Sequence, residues 1–96
     1  VDSGVLLITG GGRGIGAATA RLAAARGYTV CVNFREQRGA AERVVQGIRA
    51  EGGQAFTVQA DVAAEAEVVR LFREVDRVGT LTALVNNAGC SSAKPA

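Results

Sequence analysis

The chain has 96 residues with a formal net charge of +2, and 48% of its residues are hydrophobic. This length and composition are typical of one small globular domain, and so weak a charge argues against nucleic acid or a membrane surface as a partner. No apolar run approaches the roughly 20 residues of a membrane span, and the start VDSGVLLITG lacks the basic segment of a signal peptide, so we expect a cytoplasmic protein.

Strands and helices alternate along the whole chain. Short β-rich apolar runs predict four strands, over residues 5–9, 28–34, 54–60 and 81–87. Helical periodicity predicts three helices between them, over residues 15–26, 38–51 and 64–78. Gly27 follows the first helix and Gly52 the second, as is typical of helix C-termini. We interpret the stretch after the fourth strand as a loop.

The spacing of apolar residues also predicts which side of each helix faces the core. In the first helix these residues are Ile15, Ala18, Thr19, Leu22 and Ala23. In the second they are Ala41, Val44, Val45 and Ile48, and in the third they are Val68, Leu71, Phe72 and Val75.

The order βαβαβαβ, with strands that are almost continuously apolar, indicates an α/β fold whose parallel sheet is covered on both faces. Right-handed crossovers make such a chain the first part of a Rossmann-type, doubly wound sheet.

A glycine-rich segment, ITGGGRGIGAA at residues 8–18, joins the first strand to the first helix. Backbone N–H groups and a helix N-terminus there can bind a phosphate, and glycine lets a pyrophosphate approach the backbone closely. A tight turn that binds nothing is the alternative. Gly12-x-Gly14-x-x-Ala17 fits the general dinucleotide fingerprint, but Thr9-Gly10-x-x-x-Gly14-x-Gly16 fits the end of the strand better. A P-loop is excluded, because no Lys-Ser or Lys-Thr follows the glycines.

TGGGRGIG resembles the TGxxxGxG motif of the short-chain dehydrogenases/reductases. The NNAG at residues 86–89 and the Asp61-Val62 pair after the third strand resemble two further signatures of that family, in the same order. The resemblance covers essentially the whole chain and implies the strand order 3-2-1-4. It also implies an oxidoreductase that reduces a carbonyl or oxidises an alcohol by hydride transfer.

The resemblance assigns roles to individual residues around the cofactor. Asp61 would accept a hydrogen bond from the adenine amino group, with Val62 beside the ring; a helix N-cap is the structural alternative for Asp61. The residues on the pyrophosphate and adenosine side would be Gly10, Gly11, Gly12, Arg13, Gly14, Ile15 and Gly16. Those near the nicotinamide ribose would be Asn87, Ala88 and Gly89, whereas Asn86 is balanced between that role and a purely structural one.

The end of the second strand predicts NADP(H) rather than NAD(H). An acidic residue there would bind the ribose 2′-OH of NAD and repel a 2′-phosphate. By the family's spacing, Phe34 stands where NAD enzymes of this kind carry aspartate. Arg35 follows it, and with Arg13 it can hold a phosphate. Glu36 would weaken the preference, and the alternative for Arg35 is a solvated surface charge.

The family's catalytic Tyr-x-x-x-Lys pair does not occur in these residues: the one tyrosine, Tyr28, has Val32 four positions on, and the one lysine is Lys94. We therefore interpret residues 1–96 as the cofactor-binding fragment of a longer enzyme, without catalytic residues of its own. The family implies a homodimer or homotetramer that acts on a small alcohol or carbonyl. A non-catalytic NAD(P)-binding or regulatory module is the main alternative, and a split protein is another.

Histidine is absent from the sequence, which excludes Ser-His-Asp and Cys-His catalysis and histidine-based metal sites within it. Cys31 lies in an apolar run and is predicted to be a small buried hydrophobic residue, whereas Cys90 lies in a Ser-rich loop. We expect neither a structural disulfide nor a metal site.

Overall fold

The computed structural model describes residues 4–10 and 14–87. Its strands are Val5–Thr9 (β1), Thr29–Phe34 (β2), Gln54–Gln59 (β3) and Leu81–Asn86 (β4). Its helices are Gly14–Ala25 (α1), Arg38–Ala50 (α2) and Glu65–Val78 (α3). Within these residues the predicted strands and helices are confirmed in number, type and order, and every end lies within one residue of the prediction. None of these helices is long and apolar enough to cross a membrane.

The four strands form one parallel sheet in the order β3-β2-β1-β4, which confirms the predicted fold class. Every residue of β1 is buried, as are the last five residues of β2, because these two strands have a neighbour on each side. The pairing of β1 with β4 has a register shift at its start, since Val5 faces Leu81 but Leu6 faces Ala83. From there to Thr9 and Asn86 the two strands run in step.

Two apolar clusters hold the helices on opposite faces of the sheet, as a doubly wound fold requires. On one face α1 and α2 pack against alternate residues of the strands, among them Leu6, Ile8, Val30 and Val32. On the other face α3 contributes Leu71 and Val75 to a cluster with Val5, Leu7 and Cys31. Each fully buried Val, Leu or Ile side chain stabilises the fold by about 1.5–3 kcal/mol.

The inner face of α2 is predicted correctly: Ala41, Val44, Val45 and Ile48 are all buried. The inner face of α3 is predicted in part, because Leu71 and Val75 are buried while Phe72 is exposed and Val68 is half-buried.

The predicted inner face of α1 is wrong except at Ala23, which is buried. Ile15 is 80% exposed and Leu22 is 57% exposed, and the buried residues of the helix are Gly16, Ala20 and Ala23. The physical reason is that small residues of α1, among them Ala20 and Ala23, pack against the core, so its larger side chains are turned outward. In so alanine-rich a helix the apolar residues lie all around the axis, and their spacing does not select one face.

The ends of the first two helices follow the glycine prediction. After α1 the N–H of Gly27 donates to Ala24 at 3.1 Å and the N–H of Tyr28 donates to Ala23 at 3.2 Å. Gly52 and Gly53 donate in the same way to Arg49 and Ile48 at 3.0 Å after α2. These bonds satisfy helix carbonyls that would otherwise lack a donor, and they turn the chain back toward the sheet.

Candidate functional site

The candidate site lies along the carboxyl-end edge of the sheet. Because the strands are parallel, all four end at this edge, and their last residues are Thr9, Phe34, Gln59 and Asn86. The residues that follow these ends include most of the candidates selected from the sequence. In open α/β sheets this edge is where ligands bind.

The glycine-rich segment has one residue in the left-handed conformation directly after β1 and another at the start of α1. Gly10 has φ +67° and Gly14 has φ +51°, a region that residues with a Cβ rarely adopt. The N–H of Gly10 donates to the carbonyl of Asn33 at 3.1 Å. The predicted candidates Gly11, Gly12 and Arg13 lie outside the described residues.

The start of α1 is open and carries no acidic side chain. A Cβ built on Gly14 meets nothing within 4 Å, so the space over this residue is open. Ile15 is exposed beside it, whereas Gly16 is buried against the fold. The first turn carries no acidic side chain, which leaves the positive end of the helix dipole uncompensated from within the helix.

A row of three polar side chains crosses the sheet just inside this edge. Asn33 on β2 is in register with Thr9 on β1, and Thr9 is in register with Asn86 on β4. We call these three residues the polar row. Asn33 and Thr9 are buried, which is expensive for polar groups unless they are hydrogen-bonded. The Thr9 hydroxyl lies 3.2 Å from Oδ1 of Asn86 and donates to it.

The end of β4 is tied to the glycine segment through Asn87. Its main-chain N–H donates to Oγ1 of Thr9 at 3.0 Å, and its Nδ2 donates to the carbonyl of Gly10 at 3.0 Å. The Asn-Asn pair of the NNAG motif therefore joins two strand ends in this structure, Asn86 through its side chain and Asn87 through both main chain and side chain. Ala88 and Gly89, also predicted near this position, lie outside the described residues.

The end of β2 presents an aromatic ring and two guanidinium groups. Phe34 is buried, and the guanidinium of Arg38 lies over its ring, 4.9 Å from the centroid. Arg35 is exposed and lies 3.7 Å from the carboxylate of Glu36 and 3.9 Å from that of Asp61. Arg38 is a site residue that the sequence reasoning missed. The sequence carries no signal for this contact, because it depends on how α2 leaves the end of β2.

Asp61 lies just beyond β3 and does not cap α3, whose N-cap is Ala64. One carboxylate oxygen of Asp61, Oδ1, accepts the N–H of Ala63 at 2.9 Å, and the other, Oδ2, faces Nε of Arg35. The N-cap alternative is therefore wrong in position, because Asp61 stabilises a turn that precedes the helix. Val62 is exposed beside it.

A second set of polar side chains joins α3 to the end of β3, and it was not predicted from the sequence. Arg70 donates to the carbonyl of Gln59 and to Oε1 of Glu67, the latter at 2.8 Å. Gln59 in turn donates through Nε2 to the carbonyl of Arg35 at 3.1 Å. The hydrogen bond from Arg70 lowers the pKa of Glu67, because it favours the ionised carboxylate.

The remaining described side chains offer little other chemistry. Within residues 4–10 and 14–87, no group of three Cys, Asp or Glu residues is placed to hold a metal ion. Cys31 is buried in the sheet, as predicted, and burial raises the pKa of its thiol to about 12. A thiol of this kind is not a nucleophile near neutral pH.

Comparison with known proteins agrees with the predicted resemblance. Residues 4–96 match the short chain dehydrogenase family. YgfF, an uncharacterized oxidoreductase of Escherichia coli, is 50% identical over 86 residues, which cover 88% of this chain and 35% of that protein. The 3-oxoacyl-[acyl-carrier-protein] reductase FabG of Staphylococcus epidermidis is 44% identical over 84 residues, which cover 86% of this chain and 34% of that protein.

The fold is also that of a solved structure. A dehydrogenase/reductase from Sinorhizobium meliloti superposes with a TM-score of 0.87 at 34% sequence identity. The match covers 93% of this chain and 36% of that one. The chain thus spans about a third of the length of the relatives it matches.

Proposed function

Because this chain belongs to the short-chain dehydrogenase/reductase family, we propose that it forms the cofactor-binding part of an NADP-dependent oxidoreductase. The family consists of oxidoreductases that use NAD or NADP. The proposed reaction is the interconversion of a carbonyl and an alcohol on a small molecule. When bound, the nicotinamide supplies or accepts hydride, while the protein binds it, orients it and excludes water.

The preference for NADP is supported above all by the end of β2. An apolar ring, that of Phe34, occupies the strand end, so the carboxylate that would bind the 2′-OH of NAD is lacking there. Arg35 and Arg38 bring two guanidinium groups to the same place. Arg13 of the glycine segment is proposed to face the same 2′-phosphate.

The ion pairs of Arg35 do not prevent such binding. Arg35 and Glu36 are both well exposed and 3.7 Å apart, and an exposed pair of this kind contributes about 0–1 kcal/mol. A guanidinium–phosphate hydrogen bond contributes about 1.5–3 kcal/mol. A 2′-phosphate therefore displaces the two carboxylates from Arg35. Its affinity is lower by the free energy of the ion pairs that are lost.

The pyrophosphate is proposed to lie between the end of β1 and the start of α1. The proposed partners are the backbone N–H groups of Gly11, Gly12, Gly14, Ile15 and Gly16 and the uncompensated end of α1. The open space over Gly14 and the absence of an acidic side chain in the first turn support this placement.

The adenine is proposed to lie between the ends of β2 and β3. There Asp61 would accept a hydrogen bond from the adenine amino group, and the exposed Val62 would contact the ring. Each carboxylate oxygen has two acceptor positions, so the bond from Ala63 leaves Asp61 able to accept another.

The nicotinamide ribose is proposed to lie beside Asn87, Ala88 and Gly89, at the end of β4. Asn87 holds this end of the site to the glycine segment through Gly10, which supports a positioning role for it. We place the catalytic Tyr-x-x-x-Lys pair, the substrate pocket and the contacts of a homodimer or homotetramer in a further part of the protein, and we expect that protein to be cytoplasmic.

Titration of the protein with the two reduced cofactors tests the proposal. We expect NADPH to bind more tightly than NADH, because only NADPH carries the phosphate for Arg35 and Arg38. Added salt should reduce the difference by screening these exposed charges. Equal affinities at low salt would contradict the assignment to NADP, and no binding of either cofactor would contradict the function as a whole.

A further inference from the structure

Asn33 is the most deeply buried polar side chain in the described part of the chain, with 2% of its surface exposed. It lies in the middle of the candidate site, between the glycine segment on one side and Asp61 on the other. The family signatures found in the sequence do not include it. Its contacts reach both sides of the proposed adenine site.

The side-chain amide of Asn33 holds the backbone just before Asp61. Its Nδ2 donates to the carbonyl of Val58 and to that of Ala60, each at 3.2 Å. The N–H of Ala60 donates to the carbonyl of Phe34 at 2.9 Å. The peptide groups on both sides of Ala60 are therefore bonded to β2, and Asp61 is the next residue.

The main chain of Asn33 holds the glycine segment, on the other side of the proposed adenine site. Its carbonyl accepts the N–H of Gly10, the first glycine after β1. One residue thus sets the position of the glycine segment through its backbone and the position of the Asp61 loop through its side chain.

Asparagine suits this position for a chemical reason. Its amide nitrogen carries two N–H donors, and the two carbonyls need both. Serine or threonine would supply one donor, and aspartate would place negative charge against two carbonyl oxygens. A buried carbonyl without a donor would move toward water, and the Asp61 loop would move with it.

We propose that Asn33 is a positioning residue for adenine recognition, which sets the place of the Asp61 carboxylate relative to the glycine segment. This inference rests on the proposed function, specifically on a bond between Asp61 and the adenine amino group. Under this proposal Asn33 does not contact the cofactor, yet it determines how strongly the site prefers adenine to hypoxanthine.

The test compares NADPH with its hypoxanthine analogue, in which a carbonyl replaces the amino group that Asp61 would bind. In the wild-type protein we expect a preference for NADPH of about tenfold in Kd, the size of one charge-assisted hydrogen bond. Asp61→Asn should abolish this preference. Asn33→Ala should reduce it to about threefold or less. The double variant should show no preference, like Asp61→Asn alone, because Asn33 acts through Asp61.

Val30→Ala is the matched control, because Val30 is a buried residue of the same strand near its amino end. It should lower the melting temperature and leave the preference for NADPH unchanged, since a loss of stability alone affects both cofactors alike. An undiminished preference in Asn33→Ala would overturn the role of Asn33. An undiminished preference in Asp61→Asn would instead overturn the proposed adenine contact on which it rests.

If Asn33→Ala does not fold, Asn33→Ser keeps one donor and carries the same comparison. A measurement on the wild-type protein needs no variant at all. The NMR signal of the Asn33 side-chain amide should shift when NADPH binds and should shift less with the hypoxanthine analogue. Equal shifts, or none with either cofactor, would overturn the proposal.

Discussion

The guanidinium of Arg35 lies between the carboxylates of Glu36 and Asp61, at 3.7 and 3.9 Å. Both distances are long for hydrogen-bonded ion pairs, and Arg35 and Glu36 are largely exposed. In the proposed complex Arg35 therefore exchanges weak partners for a phosphate.

Arg35→Ala should weaken NADPH binding by about 1–3 kcal/mol, the range for a charge-assisted hydrogen bond. NADH binding should change little, because NADH lacks the 2′-phosphate. Calorimetric titration of the variant with each cofactor measures both effects. Equal losses for the two cofactors would mean that Arg35 is an ordinary surface charge.

Glu36→Gln should have the opposite effect. Removing this carboxylate frees Arg35 from a competitor, so NADPH should bind up to about fivefold more tightly at low salt, which corresponds to an exposed ion pair of about 1 kcal/mol. Glu51→Gln is the control, because it makes the same charge change at the far end of α2. A gain of similar size from Glu51→Gln would point to net charge as the cause.

Gly14→Val should abolish cofactor binding. The branched side chain would fill the open space over the start of α1, and it opposes the positive φ of this residue. The matched control is Gly52→Val, since Gly52 also has a positive φ and open space around its Cβ position but lies after α2. Both variants should lose stability, and Gly52→Val alone should still bind NADPH when titrated. Binding by Gly14→Val would show that the phosphates lie elsewhere.

Among the helices, α2 and α3 carry branched or large apolar side chains on their inner faces, and α1 carries small ones. Branched side chains gain most from burial, so their spacing identified the inner face of α2 and most of that of α3. An alanine or glycine is buried where the backbones approach closely, which depends on the neighbouring elements. The inner face of α1 could not be predicted for this reason.

Exposed and buried positions should differ in their response to truncation, which Leu22→Ala and Leu71→Ala compare. Leu22 is largely exposed on α1, so its truncation should change the free energy of unfolding by less than about 1 kcal/mol. Leu71 of α3 is fully buried, and its truncation should cost about 2–5 kcal/mol. Urea denaturation monitored by circular dichroism measures both. A large loss from Leu22→Ala would mean that α1 packs through the face predicted from the sequence.

Much of the candidate site was predictable for a different reason. In a parallel sheet the carboxyl ends of all strands lie along one edge, so Gly10, Phe34, Asp61 and Asn87 had to lie along that edge once the strands were identified. The polar row and the contact of Arg38 with Phe34 were not predictable. They depend on register between strands that are distant in sequence and on how α2 leaves the end of β2.

At the scale of the whole molecule, the described residues place several of the proposed cofactor contacts along one edge of the sheet, and the 96 residues lack the Tyr-x-x-x-Lys pair that would do the chemistry. Hydride transfer to a carbonyl needs a proton donor within hydrogen-bond reach. Tyr28 directly precedes β2, at the edge of the sheet opposite the candidate site, and Cys31 is buried inside the sheet.

We therefore expect no oxidation of NADPH by these residues alone, when they are tested by absorbance against a panel of ketones and sugars. Joining them to a C-terminal part that carries Tyr-x-x-x-Lys should create activity. Turnover by the 96 residues alone that disappears with Cys90→Ala would contradict this account and would identify that thiol as the catalytic group.

The hydrogen bonds of Thr9 with Asn86 and Asn87 join residues 77 and 78 positions apart, whereas Asn33 reaches Val58 and Ala60 over 25 and 27 positions. Closing the longer loop costs more chain entropy, so during folding β4 is expected to dock after β1, β2 and β3 have paired. The adenine side of the proposed site would then form before the nicotinamide side, because the first needs only β1, β2 and β3 and the second also needs β4.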